Sequence, residues 1–212
     1  MTSMKILLAT NESVLARGIE AALAPGGLEI AAVCRDIAEL FAAFARLQPE
    51  VVIIDHMILP AIDVIAELRR LGGRCQIVLW NRGMSSYELS EAKRCGARAI
   101  LSSKVPPASV IEIVNLVASF PDRESDAARR LAGQFPQMER EVLALVGYGM
   151  SDAEIAAAIH SEPAVVERVV KGLARTFDAQ TRCELALYGL STLSSGTLTG
   201  EMESWKNEIA IV

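Results

Sequence analysis

The chain has 212 residues, with 21 Lys+Arg against 26 Asp+Glu (formal net charge −5), 51% hydrophobic residues and only 5% aromatics. That apolar content excludes wholesale disorder, and the length suits one large domain or two small ones. The apolar stretches are broken within about a dozen residues, short of the ~18–20 that span a bilayer, and the start, MTSMKILLATNES, is too polar for a signal peptide. A soluble, cytoplasmic protein with no membrane partner is expected.

The first half alternates between two kinds of pattern. Short, partly β-branched runs at Lys5–Ala9, Leu28–Val33, Val51–Ile54, Gln76–Trp80 and Arg98–Leu101 read as buried parallel strands. Helical patterns lie between and after them. Ser13–Ala24 sets Val14, Leu15, Ile19 and Leu23 on one stripe, and Asp36–Leu47 opens on an N-cap. Ile62–Leu71 is helical, Ser85–Cys95 begins with a Ser85/Glu88 capping box, and Pro107–Phe120 starts at prolines. Five such β-α units predict a doubly wound, five-stranded parallel sheet over residues 1–120.

Residues 121–134 are mixed in charge without an apolar stripe and read as a linker. Residues 135–190 read as all-α, with four helices. Pro136–Tyr148 ends at Gly149, and Ser151–His160 opens with a Ser151/Glu154 box. Glu162–Thr176 carries Pro163 in its first turn, and Thr181–Leu190 opens with a Thr181/Glu184 box. The spacing is that of a helix-turn-helix. Residues 191–212, rich in Ser, Thr and Gly and then acidic, read as a flexible tail.

The charge is unevenly placed. Residues 1–120 balance to zero, 135–190 sum to −3 and 191–212 to −2, so the whole excess is C-terminal. The four cysteines (Cys34, Cys75, Cys95, Cys183) have no Cys-x-x-Cys spacing, and with two histidines they predict reduced thiols and no zinc site. No nucleophile–base pair or phosphate loop is evident, so no enzyme is expected.

The segment FPQMEREVLALVGYGMSDAEIAAAIHSEPAVVERVVKGLARTFDAQTRCELAL resembles the LuxR-type DNA-binding domain. The matches lie in Glu-Arg-Glu-Val-Leu at 139–143, the Gly149 turn, Glu154-Ile155-Ala156, and Arg182 with Glu184-Leu185-Ala186. With the β-α half, the chain resembles a NarL/FixJ-type response regulator, in which a receiver is joined to a LuxR-type helix-turn-helix.

The resemblance implies a phospho-accepting aspartate at the end of the third strand. It also implies a Mg²⁺-binding acidic pair after the first strand, a hydroxyl after the fourth and a lysine after the fifth. Asp55 stands at the acceptor position. The acidic pair is replaced by Thr10-Asn11, with Glu12 one residue later, and Asn81 and Ser103 fall at the hydroxyl and lysine positions. Lys104 is adjacent, and on a continuing strand it would project to the other side. Pro60, in the loop after Asp55, falls one place late for the family. Mg²⁺ requires hard oxygen ligands, so this set predicts no metal and no cofactor. A degenerate receiver is expected, with phosphorylation through Glu12 and Asn11 as the other reading.

The resemblance also presents Glu162–Thr176 to the DNA major groove. Val166, Val169, Val170, Leu173 and Phe177 form its core stripe, and Arg168, Lys171 and Arg175 its opposite face. Where the family commonly has Thr-Val-Lys, this chain has Val165-Val166-Glu167, and Val169 replaces a frequent histidine. Glu167 should pair with Lys171, Asp178 stands three residues after Arg175, and Ala157-Ala158 replaces basic residues of the preceding helix. The DNA-binding set is thus Val165, Glu167, Arg168, Lys171 and Arg175.

Two functions follow. One is a DNA-binding transcriptional regulator with a phosphorylation-independent receiver. The other is an interaction module that acts on a sensor kinase or another regulatory protein without touching DNA. A homodimer is implied, through the first and fifth receiver helices or the last helix of the chain.

Overall fold

The computed structural model describes residues 4–58, 60–71, 75–119 and 134–192, which fold as two compact units. The first is an α/β unit. Its strands β1 (Ile6–Ala9), β2 (Ile30–Cys34), β3 (Val51–Asp55), β4 (Gln76–Asn81) and β5 (Ala99–Ser102) pair in parallel in the order β2-β1-β3-β4-β5. The expected five-stranded sheet is present, its edges displaced by a residue or two. Helices α1 (Ser13–Leu23), α2 (Ile37–Leu47), α3 (Ala61–Arg70), α4 (Ser86–Cys95) and α5 (Pro107–Ser119) connect and follow the strands. β1 and β3 are buried along their whole length, as apolar strands covered on both faces must be. Chain order reverses beside β1, so the carboxyl ends of β1 and β3 open onto the crevice where such sheets place polar chemistry.

The capping signals work as read. Asp36 accepts from the Glu39 N–H at 2.8 Å, and Ser85 and Glu88 exchange hydrogen bonds at the start of α4. The α1 stripe differs from expectation. Val14 is 85% exposed, and the buried residues are Ala16, Ile19, Ala22 and Leu23. The helix turns its small alanines inward, which a reading weighted to large apolar residues misses. Of the cysteines, Cys34 and Cys75 are buried and Cys95 and Cys183 half-buried, all as free thiols.

The second unit is helical: α6 (Gln137–Gly147), α7 (Asp152–Ala158), α8 (Pro163–Thr176) and α9 (Arg182–Thr192). Ser151 and Glu154 complete the capping box of α7. At the start of α9, Glu184 N–H bonds Thr181 Oγ1 at 3.1 Å, while the Glu184 carboxylate accepts from the Gln180 N–H rather than that of Thr181. α6 and α9 meet backbone to backbone. A Cβ on Gly147 would lie 2.5 Å from the Leu190 nitrogen, and one on Gly189 would strike the Leu143 carbonyl. Phe177 stacks on Tyr188 at 5.0 Å and tilts against Phe135 at 5.7 Å. The linker expected over 121–134, save Gln134, and the tail beyond Thr192 lie outside the described residues.

Candidate functional site

Two constellations carry chemistry, one in each unit. The first lies at the carboxyl ends of β1, β3 and β4. Asp55 closes β3 and is fully buried, as is Thr10 after β1. Thr10 Oγ1 donates to Asp55 Oδ2 at 2.8 Å, and the Met57 N–H donates to Oδ1 at 3.1 Å. Arg82, following β4, supplies the cation. Its Nη2 reaches Asp55 Oδ2 at 3.3 Å, and its two Nη atoms grip the Glu12 carboxylate in a bidentate pair at 2.8 Å each. The planar guanidinium matches a carboxylate edge, so it bridges Glu12 and Asp55 as a flexible ammonium would not. Thr10 Oγ1 also accepts from the Glu12 N–H at 3.2 Å, so each of the four residues is tied to another.

The charges shift one another as this geometry requires. The hydrogen bond from Arg82 holds Glu12 below the usual carboxylate range against an opposing desolvation, with the Arg82 charge adding to the lowering. Reciprocally, the bond to Glu12 and then the Asp55 charge raise the Arg82 guanidinium further. His56 completes the surround: its Nδ1 accepts from the Arg82 N–H at 3.2 Å, which assigns the neutral ring's proton to Nε2, and lies 3.9 Å from Asp55 Oδ1. Arg82 Nε and Trp80 Nε1 are enclosed with no hydrogen-bond acceptor among the described residues.

The other strand-end positions do different work. Asn81 Oδ1 accepts from the Gly83 and Met84 N–H groups at 3.0 and 2.8 Å, an Asx turn that leads into α4. Gly83 has φ +121°, a backbone that a side chain would strain. Asn11 is exposed. Ser103 and Lys104 are exposed in a turn, because β5 ends at Ser102 and the Ser102 hydroxyl accepts from the Lys104 N–H. Lys104 thus lies in a turn rather than on a strand, and strand alternation does not set the direction of its side chain. Arg82 and His56 were not singled out in the sequence. Their partners lie 26, 27 and 70 residues away, and the available signal was a lone cation one residue past β4, the strand beside β3.

The second constellation is the outward face of α8. Val166, Leu173 and Phe177 are buried as expected, whereas Val169 and Val170 are half-buried, so the core stripe is narrower than predicted. Val165 is also half-buried. Glu167, Arg168, Lys171 and Arg175 are exposed together. Glu167 Oε1 accepts from Lys171 Nζ at 2.6 Å, and this bond lowers the Glu167 pKa. Asp178 does not pair with Arg175. It has φ +52° and its carboxylate accepts from Gln180 Nε2. Among the described residues, Arg168 and Arg175 have no ion-pair partner. At the α7 end of the unit, Arg182 ties α9 back to Asp152 and the Met150 carbonyl, both at 2.6 Å.

A parallel sheet of this order with a buried aspartate closing its central strand, followed by a helix-turn-helix, is the fold of the NarL/LuxR-type response regulators. The chain is similar to the receiver domain of the response regulator NarL from Mycobacterium tuberculosis, at 15% identity and TM-score 0.54, over 57% of this chain and all of that one. It is similar over both units to the RcsB response regulator of Salmonella typhimurium, in a study of its DNA interaction, at 18% identity and TM-score 0.51, covering 89% of this chain and 98% of that one. A structure of two RcsB dimers bound to two parallel DNAs matches at 17% identity and TM-score 0.52, over 91% of this chain and all of that one. No protein-family model matches the sequence, and neither does any curated protein. Among the described residues, no helix is long and apolar enough to cross a membrane.

Proposed function

We propose that the chain is a cytoplasmic, non-enzymatic, DNA-binding transcriptional regulator whose receiver half works without phosphorylation. The observation that carries the first part is the outward face of α8, where Arg168 and Arg175 stand two turns apart, exposed and free of described carboxylates. Cations so placed reach phosphates, which fix register, or a guanine edge, which is read in sequence. The DNA in the RcsB structure supports this use of the fold. A homodimer, built on α1 with α5 or on α9, doubles the contacts that one acidic domain makes weakly.

The second part rests on Arg82. Mg²⁺ in a receiver is held by adjoining carboxylates and neutralises an incoming phosphoryl group. Here the residues do not fit it. Thr10 stands against Asp55 in place of a carboxylate, and Glu12 is gripped by a guanidinium that also touches Asp55. The cation is already supplied by the chain, and Asp55 serves as a strand-end anchor.

Two measurements test the reading. Incubation with an acyl phosphate and Mg²⁺ should leave the intact mass unchanged. A stoichiometric phosphoryl gain that disappears in Asp55→Asn would sink phosphorylation independence. Selection from random DNA at ~50 and ~200 mM salt should enrich a motif, with affinity falling roughly 10²-fold for about four phosphate contacts. No binding at the lower salt by a folded dimer would favour the second reading, a module that engages a sensor kinase or another regulatory protein. The −3 balance of residues 135–190 favours that alternative.

A further inference from the structure

We propose that the Glu167–Lys171 ion pair reads one G·C base pair, with Lys171 on the guanine and Glu167 on the cytosine. This rests on the reading of α8 as the DNA-contact helix. On a surface that meets phosphates, an exposed glutamate is repelled, so Glu167 needs a base-edge partner to be more than a penalty there.

The geometry supplies that partner. Lys171 Nζ and Glu167 Oε1 lie 2.6 Å apart, with side chains 65% and 55% exposed, between Arg168 and Arg175 on the outward face. The pair therefore offers a donor and an acceptor side by side. The major-groove edge of G·C offers the complement: guanine N7 and O6 accept and cytosine N4 donates. O6 and N4 are base-pair partners, roughly one hydrogen-bond length (~2.9 Å) apart. A lysine ammonium has three donors, one for Glu167 and two for O6 and N7. An A·T pair alternates acceptor, donor and acceptor and adds the thymine methyl, which crowds the ammonium once the carboxylate takes the adenine amine. Because the two side chains are already held together, less ordering is needed on binding. The pair is neutral as a unit, so it adds specificity without adding to salt dependence.

The test is random-sequence selection with the full chain, followed by affinities at two salt concentrations for wild type, Glu167→Ala, Lys171→Ala and the double variant. One motif position should be fixed as G·C in wild type. Discrimination there should fall roughly tenfold in each single variant while other positions hold, and the double variant should keep the wild-type salt slope. Retained preference in Glu167→Ala overturns the proposal, as does a fixed A·T at the affected position. A uniform gain in affinity for all sequences on removing Glu167 also overturns it, since the residue would then only repel phosphate. Absence of wild-type binding to any DNA overturns the DNA-contact reading itself, and this inference with it.

Discussion

The strand-end cluster and the face of α8 are both built from carboxylates and cations, yet they differ in what surrounds the charges. Asp55 is wholly enclosed and Arg82 about three-quarters so, whereas Glu167 and Lys171 are more than half exposed. An enclosed carboxylate depends on its partner because water cannot replace it. An exposed pair exchanges with water and salt at little cost and contributes little to folding. Ion pairs in one chain thus differ in kind: one holds a loop against a sheet, the other leaves two charged groups open to solvent.

The comparison breaks most visibly at Arg82. Arg82→Ala should lower the unfolding free energy of the sheet unit by about 3 kcal/mol, because it strands a buried carboxylate, as read from a urea midpoint. Adding Asp55→Asn should return a good part of that loss; if it does not, the two charges are not coupled. Thr10→Val, which removes a neutral donor to Asp55, should cost less, about 1–2 kcal/mol. Lys171→Ala should change stability by no more than ~0.5 kcal/mol, and 1 M salt should erase even that.

Titration sharpens the same contrast. Glu12 has its pKa lowered when folded, so its contribution is present above the ordinary carboxylate range and is lost as pH falls through the folded value. Acid unfolding should therefore become less steep in Glu12→Gln. Cys75 runs the other way, its thiol pushed up to about 12 by burial. The unfolded chain ionises first, so stability should decline above about pH 9 by up to ~1.4 kcal/mol per pH unit, a slope absent in Cys75→Ala.

The fold was largely legible because its signals are local. Asp36, Ser151 with Glu154, and Ser85 with Glu88 mark helix starts within four residues of chain, and the apolar runs of β1 and β3 match their complete burial. The Glu167–Lys171 pair was legible for the same reason, being one helical turn long. The strand-end site was legible only in part. Asp55, Thr10 and Glu12 stand out by position, but Arg82 reaches them from another strand, and no periodicity announces which cation a topology will deliver. Strand alternation does not apply to Lys104, because β5 stops two residues before it and the Ser102 hydroxyl accepts from its N–H in the turn that follows. Val14 was misplaced because the buried face of α1 joins Ile19 and Leu23 with the small Ala16 and Ala22, which a stripe of large residues leaves out.

Arg82 has one consequence of another kind. A dissolved metal ion can be diluted, chelated or exchanged for a neighbour in the periodic table, and its occupancy reports the medium. A guanidinium anchored to the backbone is present once per polypeptide, at a local concentration that never changes. The presence of a cation at the strand ends is thereby set when the chain is translated. If the receiver works without phosphorylation, as proposed, the signal left to the α/β half is how many copies of the protein exist and what they are assembled with.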